Sequence, residues 1–300
     1  MVKRDGASIS LWQDTVEMFT PINKSNSNTV YDVAIVGGGI TGVSTALLLQ
    51  EAGLRCILFE ANTIGFGTTG GTTAHLNTIM DTPYNVIEKN FGEKNARLVA
   101  DATKDAINLV KHNIDKYAID CGFEEVPAYL FSQTKSQFTY LDEIYKATAA
   151  AGIETEYSDN IPISNYFNKA IRINGQAKFH PLKYVFALAK AFDNAGGIIQ
   201  QYCRVLGVEE QRDQILVETS IGNFSAKYLI YATHIPIGIN LLHLKCTPYR
   251  SYVMAVQLKE KEYPDSLIYD LYEPYHYYRT QDINGEKYLI VGGEDHKTGH

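Results

Sequence analysis

The residues with the clearest chemical meaning form a glycine-rich turn near the N-terminus. The run Gly37-Gly38-Gly39-Ile40-Thr41-Gly42 has the spacing GxGxxG, and it lies between a short apolar run at 31–36 and a helical pattern at 41–52. The first glycine permits a tight strand-to-helix turn, the second lets the backbone approach a pyrophosphate, and the third lets the helix pack on the strand. The N–H groups at the helix N-terminus can then bind phosphate oxygens.

Glu60 is the acidic residue that this motif requires. It ends a second apolar run at 56–59, 18 residues after Gly42, and Ala61 follows it. A carboxylate at this position accepts hydrogen bonds from ribose hydroxyls and repels a 2′-phosphate. The pattern therefore predicts a Rossmann βαβ unit that binds an adenine dinucleotide, with Glu60 and Ala61 among its contacts. Because all parts are in register, we disfavour the alternative of a glycine-rich turn without a ligand.

A second loop rich in glycine and threonine, at residues 62–75, favours FAD over NAD. It supplies further N–H and hydroxyl donors for a long diphosphate cofactor, whereas simple NAD domains usually continue into a helix here. An NAD-linked dehydrogenase is thus a disfavoured alternative, and a non-enzymatic protein with a structural dinucleotide is another. The residues of this loop that we predict to bind the cofactor are Gly67, Thr68, Thr69, Thr72, Thr73 and Ala74.

The segments 31–60 and 65–74 together resemble the D-amino-acid oxidase-like (DAO) family of FAD-dependent oxidoreductases, which includes glycine and sarcosine oxidases. The likeness continues through 179–183, 204–205, 229–234 and 277–293. It implies an α/β fold with an FAD-binding Rossmann-type (glutathione-reductase-like) domain and a second α+β substrate domain, each discontinuous in sequence. It also implies that the backbone of Val205 touches adenine, and that Ala232 and Thr233 end a strand near the flavin.

The resemblance implies oxidation of a C–N bond in a small amine or amino acid, with hydride transfer from the α-carbon to flavin N5. Arg279 matches the arginine that clamps a substrate carboxylate in amino-acid oxidases, where its planar fork fits two oxygens. The alternative is a structural ion pair on a strand. His276 and tyrosines 269, 272, 275, 277 and 278 surround Arg279 in sequence. They would line a substrate cavity, with His276 as a second catalytic residue, or pack within a sheet.

His75 ends the run Thr72-Thr73-Ala74-His75, which is similar to a Thr-Thr-Trp-His run in the dimethylglycine-dehydrogenase branch of the family. That branch carries its flavin covalently on the histidine. We favour a non-covalent His75 near the flavin or its phosphates. A covalent bond and an ordinary loop histidine stay open as alternatives.

The opening Leu11-Trp12 and the loop at 67–74 are most similar to the branch with a C-terminal Rieske iron–sulfur domain. No Cys-x-His pair with a matching Cys-x-x-His occurs in these 300 residues, so they cannot build a Rieske centre. Family members normally continue beyond the position of His300, and we therefore expect the chain to be a fragment. The alternative function is an electron-transfer flavoprotein that works with a Rieske-type domain. The sequence leaves the electron acceptor open.

Composition excludes several other classes of protein. The net charge of −7 and the lack of a basic stripe argue against a nucleic-acid partner. Four cysteines without a CxxC pair predict no metal site and suit reduced thiols. No run approaches the roughly 18 apolar residues of a membrane span, so we expect a soluble, cytoplasmic protein without a membrane partner.

The interleaving of segments predicts two domains, in keeping with about 100–200 residues for each. We assign 1–30 to an N-terminal arm. The FAD-binding domain comprises 31–115 and 170–245, and the substrate domain comprises 116–169 and 246–300.

Overall fold

The computed structural model describes residues 8–235, 241, 247–260 and 262–298. The helices are α1 (Leu11–Asp14), α2 (Ile40–Glu51), α3 (Thr68–Gly71), α4 (Tyr84–Phe91), α5 (Glu93–Tyr117), α6 (Lys135–Ala150) and α7 (Pro181–Asn194). The strands are β1 (Val30–Val36), β2 (Cys56–Phe59), β3 (His75–Leu76), β4 (Glu124–Ser132), β5 (Thr155–Ser158), β6 (Lys169–Lys178), β7 (Ile198–Gln200), β8 (Val205–Glu210), β9 (Ile215–Thr219), β10 (Gly222–Tyr231), β11 (Tyr249–Val256), β12 (Leu267–Asp270), β13 (His276–Ile283) and β14 (Glu286–Lys297).

The chain divides into two compact units, each built from three segments. Unit 1 comprises Met1–Thr72, Lys116–Cys121 and Pro181–Thr247. Unit 2 comprises Thr73–Asp115, Gly122–His180 and Pro248–His300. The mixed α/β fold predicted from the sequence is confirmed.

The boundaries of the units differ from the predicted domains in several places. Residues 116–121 were assigned to the substrate domain, but they belong to unit 1. Residues 73–115 and 170–180 were assigned to the FAD-binding domain, but they belong to unit 2. The reason is packing: Ala96 and Ala100 of α5 lie in the core beneath the sheet of unit 2, and β6 pairs with β4 within that sheet. The predicted separate arm is part of unit 1, where Trp12 is buried.

Unit 1 contains a six-stranded sheet in the order β7-β2-β1-β10-β9-β8. The first four strands are parallel, and β10, β9 and β8 form an antiparallel meander. The central strands β1 and β2 are apolar along almost their whole length because a parallel sheet is covered on both faces. Strand β7 is short, with only Ile198–Gln200 in the sheet, and Tyr202 adopts φ 54° in the turn that follows.

Unit 2 contains an eight-stranded sheet in the order β11-β14-β13-β12-β4-β6-β3, with β5 paired to β6. Helices α4, α5 and α6 contribute apolar side chains to a core with β4, β6 and β12. A smaller cluster joins Phe131, Ala170 and Ile268 to Tyr278. In the described part of the chain, no helix is both long and apolar enough to cross a membrane.

Candidate functional site

Two glycines of the turn in unit 1 are required by the packing of the protein itself. Gly37 has φ +112°, and a Cβ there would lie 2.4 Å from the carbonyl oxygen of Ala232. A Cβ on Gly42 would lie 1.8 Å from the carbonyl oxygen of Gly37. Any side chain at either position would therefore push helix α2 away from the sheet.

Gly39 is different because little in the protein requires it to be glycine. It is the N-cap residue of α2, with φ −78° and ψ −177°, which is extended backbone that other residues adopt. Among the described residues outside its own turn and helix, the one atom within 4 Å of a Cβ there would be Thr69 Oγ1, at 3.1 Å. Thr69 Oγ1 accepts a hydrogen bond from the Ile40 N–H at 3.0 Å. A Cβ on Gly39 would thus fill space at the positive end of the helix, a position suited to a phosphate.

Glu60 lies directly after β2 and holds the turn through its carboxylate. Oε2 accepts from the Gly38 N–H at 2.7 Å, and Oε1 accepts from the Asn62 N–H at 2.8 Å. Each oxygen retains further acceptor capacity, so ribose hydroxyls can share this carboxylate. The role of Glu60 in positioning the turn was not foreseen from the sequence.

The N-terminal arm fixes the second glycine- and threonine-rich loop of unit 1. Ser10 caps α1, and its hydroxyl donates to the carbonyl of Gly70 at 2.5 Å. The indole N–H of Trp12 donates to the carbonyl of Thr72 at 2.6 Å. Trp12, the one tryptophan of the sequence, is only 3% exposed. In the sequence, Leu11-Trp12 is recognisable only by resemblance, and its positioning role becomes visible only in the fold.

The other residues predicted to bind the cofactor lie on several helices, strands and loops of unit 1. Val205 is buried at the start of β8, where it pairs with Thr219. The Ala232 N–H donates to the carbonyl of Val36 at 2.8 Å, which places the 232–233 segment beside the glycine turn. Thr41 and Thr68 are solvent-exposed, and Ala61 and Gly67 are half-buried.

Arg279 of unit 2 does not have the arrangement expected of a carboxylate clamp. Its side chain is fully buried, and Nη1 donates to the carbonyls of Thr73 at 3.0 Å, Ala74 at 2.6 Å and Phe179 at 3.2 Å. Nη2 donates to the side chain of Gln281. Burial lowers the pKa of Arg279 to about 9, so the guanidinium is still charged at neutral pH. These contacts, to backbone carbonyls and to Gln281, favour a structural role for Arg279, and the carboxylate clamp stays a prediction.

This buried cation supports the short strand that carries His75. Ala74 has φ 57° and is buried, and its carbonyl is one of the acceptors of Arg279. His75 Nδ1 lies 2.5 Å from the Tyr269 hydroxyl, and the rings of Tyr269 and Tyr277 meet the imidazole edge-on. His75 Nε2 is buried without a hydrogen-bond partner among the described residues. Burial, reinforced by the charge of Arg279, holds the pKa of His75 well below its usual value.

His276, the second predicted catalytic residue, lies between two carboxylates. Nδ1 is 2.7 Å from Asp270 Oδ2, and Nε2 is 3.2 Å from Glu294 Oε1. Burial opposes protonation, but the hydrogen bonds to Asp270 and Glu294 outweigh it and raise the pKa of His276. Because both nitrogens are engaged, the structure favours a charged side chain that links β12, β13 and β14 over a free acid or base.

A family model described as "FAD dependent oxidoreductase", DAO, matches residues 32–300. The chain belongs to the DAO family of FAD-dependent oxidoreductases. Among its DAO-family relatives, a Bacillus subtilis protein, YhfW, is named as a Rieske 2Fe-2S iron–sulfur protein. It is 33% identical over 274 residues, which cover 91% of this chain and 54% of the relative. The γ-glutamylputrescine oxidoreductase of Escherichia coli is 26% identical over 234 residues, 76% of this chain and 55% of that protein.

The chain thus spans about half the length of these curated DAO relatives. Solved structures share its fold. Glycine oxidase from Geobacillus kaustophilus superposes with a TM-score of 0.68 at 19% identity, covering 89% of this chain and 72% of that one. The L-amino acid deaminase of Proteus myxofaciens gives a TM-score of 0.71 at 17% identity, covering 97% of this chain and 64% of that one.

FAD is the cofactor of the DAO family, and unit 1 fits its ADP half. The space beside Gly39 admits a phosphate, and the N-terminus of α2 supplies the positive end of a helix dipole. The carboxylate of Glu60 is positioned for ribose hydroxyls. The individual contacts of these residues with FAD stay predictions.

Proposed function

We propose that this chain is the flavin-binding part of an oxidoreductase that oxidises a C–N bond of an amine or amino acid. Two relatives, γ-glutamylputrescine oxidoreductase and a glycine oxidase of Bacillus licheniformis, have names that point to such substrates. When bound, FAD would supply the hydride acceptor, and the protein would orient the substrate and exclude water.

The observation that carries this proposal is the state of His75. A hydride leaves the α-carbon of an amine readily only when the nitrogen carries a lone pair, so the site must favour the free base over the ammonium ion. A buried, uncharged imidazole does this, because it accepts a hydrogen bond but offers no negative charge to an ammonium group. The lowered pKa of His75 keeps the ring neutral at physiological pH.

The neighbours of His75 favour a lone pair on Nε2. The Tyr269 hydroxyl lies 2.9 Å from Asn77 Oδ1, to which it can donate, and 2.7 Å from Asn77 Nδ2, from which it can accept. We infer that the phenol proton is used on Oδ1, so that the phenol oxygen accepts the Nδ1 proton of His75 across 2.5 Å. Nε2 then carries the lone pair, and it is the nitrogen without a partner in the described part of the chain. We infer that Nε2 accepts a hydrogen bond from the substrate nitrogen.

The test is anaerobic reduction of the flavin in the full-length protein by a panel of primary amines, secondary amines and amino acids. At least one should bleach the visible flavin absorbance. His75→Gln should then lower kcat/KM for that substrate by roughly 10²–10⁴-fold, the usual contribution of a positioned acid–base group, with FAD content unchanged. Tyr277→Phe, which keeps the ring beside His75, is the matched control and should reduce at the wild-type rate.

Failure of every C–N substrate to reduce the flavin would refute the proposal. If His75→Gln lowers the bound FAD content and the activity to the same extent, His75 is instead a ligand of the cofactor.

A second candidate function is favoured by the similarity to YhfW, whose name places it among Rieske 2Fe-2S proteins. In that case the flavin would exchange electrons with an iron–sulfur domain. The reading frame after residue 300 should then encode a Cys-x-His and a Cys-x-x-His pair. The reduced flavin should also pass single electrons to the purified iron–sulfur domain in stopped-flow mixing. A downstream sequence without those pairs would exclude electron transfer to a Rieske domain of the same polypeptide.

A further inference from the structure

Unit 2 contains a cavity of about 190 Å³ that no predicted cofactor residue lines. It is enclosed by the loop before α4, by one face of α6 and by the segment that follows β12. Every lining residue belongs to unit 2. An apolar cavity of about 150 Å³ is large enough to bind benzene, so this one has room for a small organic molecule of roughly six to eight non-hydrogen atoms.

The inner wall carries a buried hydroxyl that lacks a partner. Leu130, Ile144 and Thr148 line this wall, and Ile144 and Thr148 are one helical turn apart on α6. Thr148 is fully buried, and its Oγ1 has no hydrogen-bond partner in the described part of the chain. A helical threonine usually satisfies its hydroxyl on the carbonyl four residues earlier, and this one does not. The hydroxyl is therefore available to a ligand in the cavity.

The outer rim is acidic and aromatic. Among the described lining residues, the charged side chains are Asp81, Asp270 and Glu273, and none is basic. Asp270 is already paired with His276, whereas Asp81 accepts one hydrogen bond from the Tyr275 hydroxyl at 3.1 Å. Asp81 and Glu273 are therefore the rim carboxylates without a basic partner among the described residues. Tyr140 and Tyr272 add half-exposed rings at the same rim. Carboxylates and tyrosine faces together attract a cation.

We propose that this cavity binds a small organic cation. Its ammonium group lies at the Asp81–Glu273 rim, its apolar stem packs against Leu130 and Ile144, and a second polar group meets the hydroxyl of Thr148. This site goes beyond the oxidation proposed above, since it requires neither FAD nor turnover. Tyr269 lines the cavity and contacts His75, and Asn77 lines the cavity and contacts Tyr269, so both are left unchanged in the test.

The test uses three probes of one length, 5-aminopentan-1-ol, pentane-1,5-diol and pentylamine, with Kd values from ligand-observed NMR titration of the full-length protein. The amino alcohol should bind at least about 5-fold more tightly than the uncharged diol. Thr148→Val keeps the shape of the side chain and removes the hydroxyl. It should weaken the amino alcohol by about 2- to 10-fold and leave pentylamine unchanged.

The double variant Asp81→Asn with Glu273→Gln should abolish the preference for the amino alcohol over the diol. Asp105→Asn removes an exposed carboxylate on α5 that does not line the cavity, and it should change nothing. Neither set of substitutions alters the apolar core, so folding is preserved. Equal binding of diol and amino alcohol would overturn the proposal. So would absence of binding by any probe, or binding that Thr148→Val and the double variant leave untouched.

Discussion

Substitution of Gly39 by alanine separates cofactor binding from folding. Within the described part of the protein, the new Cβ would meet only Thr69 Oγ1, at 3.1 Å, and the backbone angles suit alanine. We therefore expect the free energy of unfolding of the apoprotein to change by less than about 1 kcal/mol. For FAD, the methyl group would occupy the space through which the pyrophosphate approaches the helix. Loss of two charge-assisted backbone hydrogen bonds, at about 1.5–3 kcal/mol each, weakens binding by roughly 10²–10⁴-fold.

The assay is fluorescence titration of the apoprotein with FAD, together with urea unfolding of the same sample. Gly42→Ala is the comparison, because its Cβ would lie 1.8 Å from a carbonyl oxygen and the fold itself should fail. Gly71→Ala is the control, since no atom of the described non-neighbouring residues lies within 4 Å of its Cβ, and it should keep both stability and affinity. A wild-type Kd for Gly39→Ala would refute the reasoning, as would a loss of stability equal to that of Gly42→Ala.

Three further predictions follow from the contacts of the two units. Arg279→Met should lower the free energy of urea unfolding by about 3–5 kcal/mol, because it leaves three carbonyls and Gln281 without their buried donor. If Arg279→Met instead keeps its stability and loses oxidation of amino acids but not of amines, Arg279 binds the substrate carboxylate. Trp12→Phe should cost about 0.5–1.5 kcal/mol of stability by removing the bond to Thr72, and should speed FAD release measured by dilution. Below pH 6.5, His75 becomes protonated in the unfolded chain but stays neutral in the native state, because its native pKa is lowered. The free energy of unfolding of the wild type should therefore fall, relative to His75→Gln, by up to about 1.4 kcal/mol per pH unit in urea unfolding. Parallel pH profiles for the two proteins would contradict the buried neutral imidazole.

The Rossmann part of the fold could be predicted because its signals are local. Glycine spacing, two short apolar strands and an acid at the end of the second lie within 31–60. The assignment of 73–115 failed for the opposite reason. An amphipathic helix such as α5 shows that it must bury one face, but its sequence does not say which sheet it packs against. That choice depends on strands β4 and β6, which come later in the chain.

The role of Arg279 was equally hidden from the sequence. An arginine on a strand can bind a carboxylate or backbone carbonyls, and only the fold shows which acceptors reach it. Two of them, Thr73 and Ala74, are more than 200 positions away, and Phe179 is 100 positions away. His75 was chosen by resemblance, whereas the burial that makes it neutral arises from Tyr269 and Tyr277 on distant strands.

The pairing of β1 with β10 determines when this protein can first hold its cofactor during synthesis. The two strands are in register from Val30 with Ser225 to Val36 with Tyr231, and the ion pair between Asp32 and Lys227 joins residues 195 positions apart. The glycine turn leaves the ribosome early, but the carbonyl of Ala232 that packs against it is among the last parts of unit 1 to appear. Until β10 has been made, β1 has an unpaired edge of the kind that favours aggregation. We therefore expect flavin capture to be a late event in biogenesis, because a chain released before residue 231 would carry an intact motif but an incomplete cofactor site.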